Sequence, residues 1–224
     1  MKMSKAIVLL SGGMDSTTAL SIAIKEGFEC YVLTLDYGQR HQNEINSAKN
    51  IVKDFDIIEH KLLSIDLTVF GGSALTDGNL KVPEKESSGI PITYVPARNT
   101  IFFSLALAWA EVVEADAIFS GVNAVDYSGY PDCRPEYISA VQDLFNLATK
   151  ITSEGKNIEV RAPLINMDKK EIIKIGIENG IDFSKTVSCY QLDHNGKSCG
   201  LCDSCRIRSR AFKELSLEDN IEYV

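Results

Sequence analysis

Residues 5–17 read KAIVLLSGGMDST and contain an apolar run, a double glycine and the start of a helix. The run from Lys5 to Leu10 is short, continuous and rich in aliphatic residues, which is typical of a parallel strand buried on both faces. From Asp15 onward apolar residues recur at near-helical spacing until Gly27. The two glycines therefore lie in a turn between a strand and a helix of an α/β fold.

A glycine turn that opens a helix is suited to phosphate. The first backbone N–H groups of the helix have no intrahelical partner, and the helix dipole adds positive charge there. Glycines allow close approach, and the hydroxyl groups of Ser11, Ser16 and Thr17 add donors. Asp15 would repel phosphate unless it caps the helix or a Mg²⁺ ion lies between them, so it favours a metal-nucleotide site. An ordinary turn with a capped helix is the alternative.

The loop differs from the two commonest nucleotide motifs, since it has neither Gly-Lys-Ser/Thr nor alternate glycines. It resembles the pyrophosphate loop of the N-type ATP pyrophosphatase (PP-loop) superfamily, whose members cleave ATP between the α and β phosphates and transfer AMP to a substrate oxygen. The resemblance implies a Rossmann-like parallel sheet of the adenine nucleotide alpha hydrolase type, flanked by helices. It also implies catalytic roles for Asp15 and Ser16, and an ATP site formed by Leu10, Ser11, Gly12, Gly13, Met14, Asp15, Ser16 and Thr17.

Composition narrows the class of protein. The chain has 224 residues, of which 45% are hydrophobic, and a formal net charge of -8. This suits one compact α/β domain, and the acidic balance argues against a surface for nucleic acid, which needs clustered Lys and Arg. The first strand begins without a signal-type apolar segment, so we predict a cytoplasmic protein with no membrane partner.

The remaining pattern predicts alternating strands and helices. Further strands are predicted at 29–36, 57–63, 116–120 and 158–164, and helices at 43–55, 101–114, 135–150 and 169–179. Residues 64–94 lose periodicity and gain turn residues, and we predict that they close over the site as a lid. We predict an ATP pyrophosphatase-like domain over 1–185 and a C-terminal four-cysteine zinc module with a helix over 186–224, packed on the same domain.

Polar residues before the apolar helix are candidates for substrate contacts. The guanidinium of Arg98 offers a fixed fork for phosphate or carboxylate, and Asn99 can both donate to and accept from a heterocycle. We predict that both bind substrate and that Arg98 takes part in catalysis. The alternative is that Asn99 caps the helix while Arg98 is solvated.

The loop at 121–134 follows the fourth predicted strand and is dense in hydrogen-bonding side chains and tyrosines. A planar heterocycle is recognised by this combination of polar edges and an aromatic face. We predict substrate contacts from Asn123, Asp126, Tyr130, Asp132 and Arg134, the last suited to a substrate carboxylate. The alternative is a surface loop that packs on itself.

Four of the six cysteines lie near the C-terminus, at Cys189, Cys199, Cys202 and Cys205. Two overlapping Cys-x-x-Cys pairs and one upstream cysteine supply four thiolates, which predicts one structural Zn²⁺ per chain. An iron–sulfur cluster and a redox Cys-x-x-Cys are alternatives. The spacing disfavours the first, and the second leaves two cysteines unused.

Taken in order along nearly the whole chain, four motifs resemble the 7-cyano-7-deazaguanine synthase family (preQ0 synthase, QueC) of queuosine biosynthesis. They are the pyrophosphate loop, the stretch Pro96-Ala97-Arg98-Asn99, the loop at 121–134 and the cysteine set. The resemblance implies conversion of 7-carboxy-7-deazaguanine and ammonia to the nitrile with ATP and Mg²⁺. It further implies a structural zinc and a homodimer, with no nucleic-acid partner.

Three other functions stay open on the sequence: a PP-loop tRNA sulfur transferase, another amidating ligase, and a protein that binds nucleotide without turnover. The acidic charge and the four clustered cysteines weigh against the first. The second would use free ammonia, because no glutaminase domain is present. ATP consumption that depends on an added acid separates the enzymes from the third. The number of ATP consumed and the release of AMP or ADP are left open.

Overall fold

The computed structural model describes residues 3–84, 89–126 and 129–224. Its centre is a five-stranded sheet formed by β1 (Lys5–Leu9), β2 (Glu29–Asp36), β3 (Glu59–Ser64), β4 (Ala117–Phe119) and β5 (Glu159–Arg161) within these ranges. The strand order is β3-β2-β1-β4-β5, and all neighbouring strands are parallel. The α-helices are α1 (Met14–Lys25), α2 (Asn43–Ile51), α3 (Arg98–Val113), α4 (Pro135–Ala148), α5 (Lys150–Ser153), α6 (Lys169–Glu178) and α7 (Asp203–Glu214).

The central strand β1 is buried on both faces, as its continuous apolar sequence predicts. Ile7 packs towards α3 and α4, in a cluster with Phe103 and Phe145. Val8 faces the opposite side and packs with Leu20 of α1. Helices therefore cover both faces of the sheet, and this confirms the predicted α/β architecture.

The strand order reverses beside β1. From β1 the chain proceeds through β2 to β3 on one side, and β4 and β5 lie on the other side. The loops that leave the carboxyl ends of β1 and β4 therefore diverge and open a crevice. The double glycine and the loop that begins at Gly121 border this crevice.

Several predicted boundaries were wrong. Helix α3 begins at Arg98 rather than at 101, so Asn99 lies inside the first turn and does not cap it; Ala97, with a φ of 54°, precedes the helix. Strand β5 ends at Arg161, because residues 162–165 form a turn around Pro163, which has no N–H for a ladder. The helix predicted over 135–150 ends at Ala148, and Thr149 caps the short α5.

Within 65–84 and 89–94 the stretch is largely irregular, as predicted, and contains one short helical turn at Thr68–Phe70. Its residue Ala74 is buried next to the cysteines. The side chain of Arg40 fixes the stretch by donating hydrogen bonds to the backbone carbonyls of Ala74, Asp77 and Leu80. Residues 85–88 lie outside the described ranges, and the closure of this stretch over the site stays a prediction.

The C-terminal region packs on the α/β core. Phe212 and Ala211 of α7 pack against Met14, Ile173 and Phe183. Arg208 of the same helix is 1% exposed, and its Nη2 donates to Asp219 Oδ1 at 2.8 Å. The division at residue 185 stays a prediction. Among the helices of the described ranges, none has both the length and the apolar character needed to cross a membrane.

Candidate active site

A cavity of about 210 Å³ lies at the carboxyl ends of β1, β2 and β4. It is lined by six of the eight residues predicted to bind ATP, which are Leu10, Ser11, Gly13, Met14, Asp15 and Ser16. The predicted substrate residues Arg98, Asn99, Asn123 and Tyr130 line it as well. The two predicted groups thus share one cavity. Gly12, Thr17, Asp126, Asp132 and Arg134 are not among its lining residues.

The loop at 11–13 is held by hydroxyl groups from the first turn of α1. Ser16 Oγ accepts from the backbone N–H of Ser11 at 3.1 Å and donates to the carbonyl of Gly13 at 3.1 Å. Thr17 Oγ1 donates to the same carbonyl at 2.8 Å. Gly13 precedes α1 in an extended conformation without a side-chain cap. This end of the helix is therefore suited to an anion, which its N–H groups and dipole favour.

Two glycines allow the close packing around this loop. Gly12 has a φ of +87°, and a Cβ there would lie 2.2 Å from the carbonyl oxygen of Glu44 in α2. A Cβ on Gly121 would lie 2.6 Å from the backbone nitrogen of Ser16. Gly12 thus brings α2 against the loop, and Gly121 brings the loop after β4 against the start of α1.

Asp15 is paired with a lysine that sequence analysis missed. Lys169 Nζ lies 2.5 Å from Asp15 Oδ1 and 3.2 Å from Asp126 Oδ2, and the lysine side chain is 7% exposed. Burial raises the pKa of Asp126, although the Lys169 ammonium opposes this shift. The sequence carried one signal for Lys169, which is its position directly after Asp168, the residue that caps α6. A cation at a helix N-terminus is unfavourable and so calls for a partner. Asp168 and Glu171 form a reciprocal capping box at the start of α6.

Arg98 also lines the cavity, at the start of α3. Its guanidinium lies 5.9 Å from the ring centre of Tyr37 and 5.8 Å from that of Phe102. Burial alone would lower the pKa of Arg98, but Tyr37 and Asp132 outweigh burial and raise this pKa above its usual range. Arg98 therefore stays cationic in the cavity.

Asn99 connects α3 to the loop after β4. Its backbone N–H donates to Asp132 Oδ2 at 3.2 Å, and its Nδ2 donates to the carbonyl of Asp132 at 2.9 Å. Asp132 Oδ1 is buried and has no hydrogen-bond partner within the described residues. Burial raises the pKa of Cys133 to about 11, and the negative charge of Asp132 adds to this shift. The thiol is therefore protonated at neutral pH. Asp132 thus lies behind Asn99 rather than on the cavity wall.

The other predicted substrate residues differ in their surroundings. Asn123 holds the loop itself, since its Nδ2 donates to the carbonyl of Leu164 at 2.9 Å and its Oδ1 accepts from the N–H of Asp126 at 2.7 Å. The hydroxyl of Tyr130 lies 2.7 Å from Thr93 Oγ1. Arg134 is exposed at the start of α4. Residues 127 and 128 of this loop lie outside the described ranges.

A second ionisable residue of the cavity was also missed. Glu44 lies in the first turn of α2, is half-buried, and shares the cavity wall with Tyr37 and Arg98. Burial raises the pKa of Glu44 to about 7, although the charge of Arg98 opposes this shift. An acid in a first turn is usually explained by the helix dipole, so the sequence carried no separate signal.

The four predicted metal ligands converge. One ligand atom from each of Cys189, Cys199, Cys202 and Cys205 lies within 4.8 Å of the others, a spacing that fits four thiolates around one ion. Cys189 Sγ also accepts from the backbone N–H groups of Gln191 at 3.2 Å and Cys199 at 3.3 Å, as a thiolate would.

The cysteine cluster also borders the cavity. Ser188 and Tyr190, the neighbours of Cys189, both line it. From α7, which follows Cys202, Ser204 and Arg208 line it too. A metal ion held by the cysteines would therefore fix one wall of the cavity.

Known proteins that are similar to this chain match it over the residues that contain these motifs. A family model described as queuosine biosynthesis protein QueC matches residues 5–216. The chain belongs to the QueC family. A 7-cyano-7-deazaguanine synthase of Saccharophagus degradans is 56% identical over 223 residues, which are 100% of this chain and 99% of the relative. One of Pseudomonas putida is 54% identical over 219 residues, with 98% of each chain covered. QueC membership confirms the resemblance predicted from the order of the motifs.

Solved structures share the fold of this QueC chain. A 4-thiouridine synthetase–RNA complex with bound ATP has a TM-score of 0.54 at 20% identity and covers 95% of this chain and 50% of that chain. NMN synthetase from Francisella tularensis has a TM-score of 0.51 at 16% identity. The match covers 97% of this chain and 79% of that chain. The predicted Rossmann-like fold is thereby confirmed.

Proposed function

We propose that this chain converts 7-carboxy-7-deazaguanine and ammonia to 7-cyano-7-deazaguanine at the expense of ATP. Relatives that match the full chain are named 7-cyano-7-deazaguanine synthase. The observation that supports the proposal is the shared cavity, which is lined both by a helix N-terminus suited to phosphate and by Arg98. Such a cavity can hold a nucleotide and an organic acid side by side, which is what activation of a carboxylate requires.

The nucleotide is assigned to the end of the cavity at α1. The N–H groups of the first turn and the hydroxyl groups of Ser11 and Ser16 would bind the phosphates, with Leu10, Gly13 and Met14 around them. Gly12 and Thr17 act by shaping the loop. Asp15 supplies the kind of carboxylate oxygen that Mg²⁺ prefers when phosphates and water complete its shell. A Mg²⁺ ion there would lower phosphate repulsion, and Lys169 would add a second positive charge.

The acid is assigned to the opposite end. Arg98 donates from Nε and Nη2 to Asn99 Oδ1 at 3.3 and 3.2 Å, and its remaining N–H groups would bind the substrate carboxylate. Asn99, Asn123 and Tyr130 would provide polar and aromatic contacts for the heterocycle. Asp132 would contribute indirectly by holding Asn99 in place through a hydrogen bond, and Asp126 by its ion pair with Lys169. Direct contact between Arg134 and the substrate stays a prediction.

The chemistry begins with attack of the substrate carboxylate on the α-phosphorus of ATP. Arg98 would orient the carboxylate, and the loop at 11–13 would hold the departing pyrophosphate. Ammonia then displaces the nucleotide to give the amide. A second activation, on the amide oxygen, makes water loss to the nitrile possible. The PP-loop resemblance favours AMP as the leaving nucleotide.

A structural zinc ion is assigned to the four cysteines. Four thiolates leave no open position, so the ion would brace Ser188, Tyr190 and α7 rather than touch substrate. Metal analysis of purified protein tests the identity, with one zinc per chain expected and Cys202→Ser expected to lose it. An iron–sulfur absorption spectrum would contradict the assignment. Reduced cysteines also suit the proposed cytoplasmic location.

A homodimer is the proposed assembly, and the exposed edge of the sheet supports it. Leu62 and Leu63 of the edge strand β3 are exposed, and Val69 and Phe70 shortly after it are 70% and 77% exposed. Unprotected edges and apolar patches are typical of protein contacts. Sedimentation should give twice the chain mass, and Phe70→Ser should weaken association if this surface is the contact.

The decisive experiment is mass spectrometry of purified protein with Mg·ATP, ammonium and 7-carboxy-7-deazaguanine. We expect the nitrile together with stoichiometric AMP or ADP, and no nucleotide product when the acid is omitted. Survival of both acid and ATP in folded, metal-loaded protein would refute the proposal. The same assay with tRNA and a sulfur donor tests the sulfur-transferase alternative.

A further inference from the structure

The cavity contains two side chains of opposite charge that match the two ions the reaction consumes. Arg98 and Glu44 both line it, and their charges interact. The proposed substrates are a carboxylate anion and ammonia, which at neutral pH is present mainly as ammonium. Arg98 is suited to the carboxylate anion. The ammonium ion would need an acidic side chain.

The carboxylates on the cavity wall are Asp15 and Glu44, as far as the described residues show. Asp15 is paired with Lys169 at 2.5 Å beside the phosphate loop. Asp126 and Asp132 lie behind the wall. Glu44 is therefore the carboxylate of the cavity wall whose charge interacts with that of Arg98.

Glu44 is also held next to the place where the carboxyl carbon must react. Its backbone abuts Gly12, where a Cβ would lie 2.2 Å from the Glu44 carbonyl oxygen. Its side chain shares the wall with Arg98. A substrate carboxyl group whose oxygen bonds to the α-phosphorus while it contacts Arg98 would place its carbon between these two points, within reach of a nucleophile held by Glu44.

We propose that Glu44 binds the ammonium ion and takes one of its protons, so that ammonia is formed beside the activated carboxyl group. This assignment rests on the proposed function. The Glu44 carboxylate removes one N–H proton, and the freed electron pair of nitrogen forms the C–N bond. The C–O bond to the nucleotide then breaks, and the nucleotide leaves with the electron pair of that C–O bond. The second nitrogen proton goes to solvent.

The surroundings of Glu44 suit this task. The titratable and charged groups that face it are Tyr37 at the end of β2 and Arg98 of α3, and Tyr190 lines the same cavity from the C-terminal segment. Burial raises the pKa of Glu44 to about 7, close to the pH at which a general base works best. The carboxylate then both attracts a cation and accepts a proton at neutral pH.

The test compares ammonium with hydroxylamine, which is mainly uncharged at neutral pH and needs no deprotonation before attack. Glu44→Gln should lower kcat/KM for ammonium by roughly 100-fold at pH 7, the usual contribution of a general base. Hydroxamate formation from the activated acid should fall by less than about threefold, since that step avoids the general base. KM for ATP and for the acid should be unchanged. Glu44→Asp should restore part of the rate.

The pH profile provides a second readout. With wild type, kcat/KM for ammonium should rise through pH 7 and then flatten. With Glu44→Gln it should keep rising into the alkaline range, because only free ammonia reacts. Glu136→Gln is the matched control, since Glu136 is an exposed acid in the first turn of α4.

Each outcome decides the question. Equal losses with both nucleophiles, or an unchanged rate with ammonium, would overturn the role of Glu44 while leaving the proposed function intact. Absence of nitrile and hydroxamate with the wild type would instead overturn the proposed function, and the assignment of Glu44 with it.

Discussion

The two ends of the cavity are built in different ways. At the phosphate end, Ser11, Gly13 and Ser16 bond to one another within a few residues of sequence. At the acid end, Asn99 is held by Asp132 and Asn123 by Leu164, across 33 and 41 residues. The hydrogen bonds within the loop of the first end are therefore local in sequence, and the second end depends on how α3, the loop after β4 and the turn after β5 are packed together.

This difference predicts different responses to substitution. A loop at a helix start that is held by local hydrogen bonds should lose its binding geometry when a substitution removes one of its polar atoms or adds a side chain that overlaps with a neighbour. An assembled wall distributes its contacts, so single changes there should have smaller effects unless they remove the charge that contacts substrate. The following predictions use this contrast, from the largest expected effect to the smallest.

The largest effect is expected for Asp15→Asn at the phosphate end. This change removes the carboxylate assigned to Mg²⁺ but leaves Lys169 paired with Asp126, so the fold should survive. We expect the rate of nitrile formation to fall by about 10²–10³-fold, as for other losses of electrostatic stabilisation. The exposed Asp56→Asn is the control. A near wild-type rate at low Mg²⁺ would remove Asp15 from the nucleotide site.

The next effect is structural and uses two glycines with the same backbone conformation. Gly12 and Gly27 both have a φ of +87°, but a Cβ at Gly27 meets no atom within 4 Å. Gly27→Ala should cost about 1 kcal/mol of unfolding free energy from backbone strain alone. Gly12→Ala adds overlap with α2 and should cost more than about 3 kcal/mol. Chemical denaturation measures both, and equal costs would show that the loop does not depend on contact with α2.

At the acid end, the comparison is between two arginines, one that lines the cavity and one that is exposed. Arg98 lines the cavity, and Arg134 is exposed. Arg98→Ala should lower kcat/KM for the acid by roughly 100-fold, since a charged hydrogen-bonded pair is lost. Arg134→Ala should change it by less than about threefold, because exposed charges contribute little. Steady-state kinetics with varied acid decides the matter, and a large effect at Arg134 would mean that the loop at 121–134 moves to reach substrate.

The same contrast explains which features could be predicted from sequence. The loop at 11–17 and the cysteine set could be recognised because their residues are contiguous or closely spaced. Glu44 could not, because it reaches the cavity through the packing of α2 and resembles an ordinary first-turn acid. The only signal for Lys169 was its unfavourable position at the start of α6, and its pairing with Asp15 depends on how α6 packs against α1. The placement of Asp132 behind Asn99 likewise depends on where α3 begins, which periodicity placed too late.

The smallest effect is a change in stability at Glu44, whose backbone abuts Gly12 at one end and whose charge interacts with that of Arg98 at the other. Burial raises the pKa of Glu44 from 4.5 to about 7 in the folded protein, so folding favours the protonated acid. The wild type should therefore lose stability as pH rises through 7, a loss that Gln at this position avoids.

We expect Glu44→Gln to be more stable than wild type by about 1–2 kcal/mol at pH 8, with no difference near pH 4.5 or below. Thermal unfolding between pH 4.5 and 8.5 measures this difference, and Glu136→Gln should track the wild type throughout. A variant that loses activity with ammonium yet gains stability at alkaline pH would show that the carboxylate is kept at a cost to folding. Identical stability profiles would mean instead that Glu44 is solvated in the free enzyme and that its cavity environment does not favour the protonated form.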